Sequence, residues 1–152
     1  MYQTFVKVIE NANVVIATYE ATDMGESQQV DPVNGTVAFG SALFGWAFTL
    51  TRFAATYSER FKIPRDKMME KLWGDNFFDQ KGKKWRKVDE DDEGNKLKRA
   101  FNQFIMDLVI RLTRSVMDEN HEVVDKMLGN LNITLKTEEK EKKGKDLFKC
   151  IF

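Results

Sequence analysis

The chain has 152 residues, with 24 basic and 24 acidic side chains, 42% hydrophobic and 32% charged residues. That is enough for one domain with its own core, and the composition is that of a globular chain rather than a disordered tail. Balanced charge argues against a surface that holds RNA mainly through phosphates, no run approaches the roughly 20 apolar residues of a membrane span, and no basic segment leads into an apolar signal core.

Tyr2, Phe5, Ile9, Ala12, Ile16 and Tyr19 recur at spacings of three and four and predict a helix that ends before Gly25. A polar stretch follows, with turn signals at Asp31-Pro32 and Asn34-Gly35. The run Gly35 to Leu50 then packs four aromatics and three glycines into sixteen residues. It reads as strands Thr36 to Phe39 and Trp46 to Leu50, joined by a turn in which Gly40 and Gly45 give backbone freedom. Phe53, Tyr57 and Phe61 predict a helix capped by Thr49 or Thr51, and Pro64 and Gly74 bracket another.

Asn76 to Asp79 and Lys83 to Val88 read as short strands across the turn Gln80-Lys81-Gly82, with Phe77, Phe78 and Trp85 packing inward. After the acidic loop Asp89 to Glu93, the residues Phe101, Phe104, Ile105, Leu108, Leu112 and Val116 mark one face of a long helix. Val123, Val124, Met127, Leu128 and Leu131 predict one more helix, ending around Gly129 to Asn132. Residues 137 to 145 read as a charged loop, and Asp146 to Phe152 as helix or strand. The fold class is therefore α+β: a single domain over 1–152, with hairpins around 36–50 and 76–88 packed against several helices.

The Gly35 to Leu50 run also resembles the GTVAFGSGLHGWAFT signature of the elongation factor 2 family, the ribosomal translocase GTPases. Tyr2 to Phe5, Asn13 to Ile16 with Thr18-Tyr19, Lys67 to Phe78, Lys83 to Trp85 and Arg99 to Asn102 resemble consecutive family segments in family order. The likeness runs from the first residues to the last. It departs at Phe44, where the family carries histidine, and at Leu108, where the family usually carries proline. Proline at that place would kink the helix, so a straighter one is expected here.

The resemblance implies the subdomain inserted into the GTPase domain, cut at both ends: Leu147, Phe148, Ile151 and Phe152 would leave apolar surface exposed if nothing followed. The parent family uses GTP and magnesium, yet the motifs for them fail in this chain. Gly40 and Gly45 have phosphate-loop spacing, but Trp46-Ala47 stand where lysine and a hydroxyl are required. Asn95-Lys96-Leu97-Lys98 puts an ammonium where guanine recognition needs a carboxylate, and Asp91 to Gly94 matches a magnesium motif only within an acidic loop. As a calcium loop, Asp89, Asp91, Glu93 and Gly94 lack the bidentate glutamate, because Ala100 holds its place.

His121 has no cysteine partner nearby and reads as a surface residue at a helix start, and Met68, Met69 and Met117 read as core filler. Lys81 to Lys87 around Trp85, like Lys140 to Lys149, reads as a solvated basic edge rather than a nucleic-acid track. The lone Cys150 reads as a small core hydrophobe and suits a reducing, cytoplasmic compartment. No catalytic, cofactor or metal residue is expected in the chain.

Two classes of function follow. One is a noncatalytic, monomeric part of a translational GTPase that positions the GTPase core and, by resemblance, faces the stalk proteins of the large ribosomal subunit without touching nucleic acid. The other is a free-standing helical interaction module. Relatives of the translocase in ribosome maturation and in the spliceosome keep a similar subdomain and form a narrower alternative.

Overall fold

The computed structural model describes residues 1–20 and 29–151, so the helix end expected before Gly25 and the side chain of Phe152 lie outside the described residues. Helix α1, Tyr2–Glu20, buries Tyr2 and half-buries Phe5, Ile9 and Ile16. Ala12 and Tyr19, expected on that face, are exposed. Asn13 takes over the middle of the seam instead: its side-chain amide donates to Val30 O at 2.9 Å and accepts from Val30 N at 2.8 Å. Val8, Val14 and Val15 stay 61%, 65% and 54% exposed on the opposite side.

A 3₁₀ turn, Pro32–Asn34, leads into the first hairpin. Asp31 accepts from Val33 N through its carboxylate and donates its own N–H to Thr36 Oγ1. Because Thr36 is held in that loop, strand β1 spans Ala38–Ser41, two residues later than expected, and pairs antiparallel with β2, Trp46–Thr49. Gly40 thus lies inside the strand and not in the turn. Its need for glycine is steric, since a Cβ there would stand 2.9 Å from Trp46 O. Leu50 belongs to helix α2, Leu50–Phe61, whose N-cap is Thr49 in extended backbone; the Thr49 side chain makes no capping bond.

Helix α3, Arg65–Leu72, follows Pro64 and ends before Gly74, which is left-handed at φ 91°. Strands β3, Phe77–Asp79, and β4, Lys84–Arg86, form the second antiparallel pair, each shorter than expected. The Asp79 carboxylate fixes their turn by accepting from Lys81 N at 2.9 Å and Gly82 N at 3.0 Å. Trp85 packs inward against Phe61, Phe78 and Phe104, while Lys83, Lys84 and Lys87 beside it are exposed. Arg99 locks this layer to α1: its guanidinium lies 4.4 Å from the Tyr2 ring centre, donates to Gly74 O at 3.0 Å and pairs with Asp75.

The long helix is not uniform. Phe101–Met106 is a π-helical turn, followed by α4, Asp107–Met117. The wider turn appears just ahead of Leu108, and the Phe104 carbonyl accepts from the Tyr57 hydroxyl at 2.8 Å. In a regular α-helix that carbonyl would rely on the N–H of residue 108, the donor a proline removes. Burial pushes the Tyr57 hydroxyl up to about 12, so it keeps its proton to donate. Leu108→Pro should therefore cost about 1–2 kcal/mol rather than the ~3 kcal/mol of proline in a regular helix interior. Urea unfolding of Leu108→Pro, Tyr57→Phe and the double variant checks this, and the double variant should lose more than the sum of the two.

Helix α5, His121–Asn130, starts at Asn120, whose side chain accepts from Val123 N. The segment expected to be a charged loop contains a short helix α6, Thr137–Lys140, begun by a bond from Lys136 N to the Glu139 carboxylate, and the start of α7, Gly144–Ile151. The last apolar element is thus a helix. Cys150 is half-buried rather than fully buried and packs against the core from its edge, donating to Asp146 O and lying 3.4 Å from Lys142 Nζ.

The fold is α+β, two small antiparallel hairpins against helices, as the patterning indicates. Its interior holds two hydrophobic clusters. One joins the start of α1, the first hairpin, α2, α3 and the π-helical turn; the other joins α4, α5 and α7. Trp46, Leu108 and Ile133 pack against both.

Candidate functional site

The motifs that failed on residue type also fail in space. Gly40 is a strand residue and Ser41 to Gly45 form a closed hairpin turn, with Gly45 N donating to Ser41 O at 2.8 Å, and not an open cradle of amides. Asp91 is occupied as a turn cap, accepting from Glu93 N, Asn95 N and Asn95 Nδ2; the Asn95 bonds hold its carboxyl below the usual range. Asp89 pairs with Lys96 and Glu93 with Lys81. Among the described residues no group of His, Cys, Asp and Glu side chains is gathered to hold a metal ion. His121 is exposed at the start of α5, while Met68 and Met69 are buried in the first cluster and Met117 is half-buried.

Two hollows among the described residues differ sharply in chemistry. A cleft of about 480 Å³ lies between the turn of the second hairpin, the segment 95–98 and the start of α4. Its cations are already matched, Lys81 by Glu93, Lys96 by Asp89 and Lys98 by Asp107, so it offers little net charge to a ligand.

The other is a groove of about 440 Å³ between the tip of the first hairpin, the start of α1 and the helix from Met106 to Arg114. Ser41, Phe44 and Trp46 form one wall; Met106, Val109, Ile110 and Thr113 form the other. The hairpin delivers its aromatics by simple means. Gly45, at φ 71°, closes the turn, and Trp46 stacks on Phe48 with ring centres 5.5 Å apart. Thr113 donates its hydroxyl to Val109 O at 2.8 Å, which satisfies it within its own helix.

Arg114 is the single charged side chain in this lining, and it has no ion-pair partner among the described residues. Lys149 also lies near the turn, its Cε 3.4 Å from where a Cβ on Gly45 would be, but its ammonium is paired with Asp146. The arrangement suits an apolar side chain whose flanks carry carboxylates. Sequence reasoning placed Phe44 in the turn and Trp46 at the start of the second strand but missed Met106, Ile110 and Arg114. A second stripe at spacings of four, beside the face counted from Phe101, was the available signal.

No protein-family model matches the chain. Among the described residues no helix is long and apolar enough to cross a membrane.

Proposed function

We propose that the chain is a noncatalytic docking and positioning part of a translational GTPase of the elongation factor 2 type, working in the cytoplasm on the ribosome. The observation that carries the reading is the groove between the first hairpin and α4. The run that resembles the family signature supplies its aromatic wall, and the one charged side chain in its lining among the described residues is the cation Arg114. Stalk tails, acidic and carrying leucine and phenylalanine, have the chemistry such a groove accepts. GTP and magnesium belong to the rest of such an enzyme, and this chain contributes partner contact.

Calorimetric titration with an acidic stalk-tail peptide tests the reading. Saturable binding is expected, lost in Ile110→Glu and in Arg114→Glu. A full-length factor that binds the peptide while this chain does not would place the contact elsewhere. Titration with GTP and magnesium should show no binding in the micromolar range, and affinity of that order would overturn the noncatalytic reading.

A further inference from the structure

We infer that Phe44 determines which side chain the groove accepts: it keeps the tip of the hairpin wall apolar and so favours a phenylalanine or leucine presented by an acidic peptide. This inference rests on the function proposed above and goes one step further, to the residue that sets its selectivity.

Phe44 stands where the resembled family carries histidine, and the hairpin turn places it in the groove wall beside Trp46, across from Val109 and Ile110. An imidazole there would put two polar nitrogens into the wall, and each would need a hydrogen-bond partner once a ligand displaced water. A phenyl ring carries no such demand. It offers an aromatic face with Trp46, the surface on which aromatic and leucine side chains pack best. Charge completes the choice of occupant: the lining carries no carboxylate to attract a basic segment, whereas Arg114, with no ion-pair partner among the described residues, favours a flanking acid.

The probe is a short acidic peptide with one phenylalanine, and the same peptide with that residue changed to alanine, titrated calorimetrically into the chain and into Phe44→Ala and Phe44→His. The original peptide is expected to bind Phe44→Ala and Phe44→His about tenfold more weakly, the scale of one buried aromatic contact. The peptide change and Phe44→Ala should not add, because both remove the same contact. Losses that multiply independently, or a Phe44→His chain that binds like the original, overturn the inference while leaving the groove in place. Failure of the original chain to bind at all overturns both readings. Because the peptide change needs no variant, its effect is readable even if Phe44→Ala folds poorly: an unchanged affinity for the alanine peptide also overturns the inference.

Discussion

Replacing Phe101 with alanine is expected to remove about 3–5 kcal/mol of stability, the range for truncating a fully buried aromatic. Phe101 is completely buried in the π-helical turn, and its ring meets those of Tyr2, Phe5, Phe39 and Trp73 at centre distances of 5.1–6.0 Å. Those four rings come from α1, β1 and the end of α3, so they cannot close on the cavity without moving three elements together. A domain of this size has about 5–15 kcal/mol in all, and the melting midpoint should fall by roughly 10 °C. Scanning calorimetry checks this. Phe101→Leu, which keeps most of the volume, should cost less than half as much; equal losses would contradict the packing argument.

Asn76→Ala is expected to cost about 2–4 kcal/mol, although only a polar side chain is shortened. Asn76 is buried, and its amide donates to Glu70 O at 2.8 Å and to Trp73 O at 2.7 Å. Both carbonyls belong to the end of α3, where a helix leaves acceptors without donors of its own. The Asn76 backbone carbonyl in turn accepts from Ala100 N at 2.7 Å, so the residue ties α3 to the start of the long helix. Asn76→Asp sharpens the test. A carboxylate facing two carbonyls is repelled at neutral pH, and its protonated form can donate once. The aspartate variant should therefore be the less stable of the two at pH 7, and it should recover relative to alanine as the pH falls below about 5. Urea unfolding at both pH values decides the matter.

Neither residue announced its weight in the same way. Phe101 was legible because apolar side chains at helical spacing must share a face, and the aromatic and glycine load of the first hairpin was legible for a similar reason. Asn76 and Asn13 were not. A buried amide looks like any loop polar residue until its carbonyl partners, six and seventeen residues away, are in place. The π-helical turn was hidden as well, since widening by one residue leaves the apolar spacing almost intact and depends on Tyr57 from another helix. The strand starting at Ala38 instead of Thr36 reflects competition: Thr36 finds its partner in the Asp31 loop before the ladder begins. The groove was half visible, its hairpin wall in the signature run and its helical wall in a stripe that the stronger one beside it obscured.

Trp46, Leu108 and Ile133 touch both hydrophobic clusters, and α4 runs through both, with Val109 in the first and Leu112 and Val116 in the second. If the cluster that α5 and α7 complete opens before the one around α2 and α3, native-state hydrogen exchange will register two distinct opening free energies. Trp46 packs against both clusters and lines the groove at once, so a ligand seated there is expected to draw the two exchange classes together.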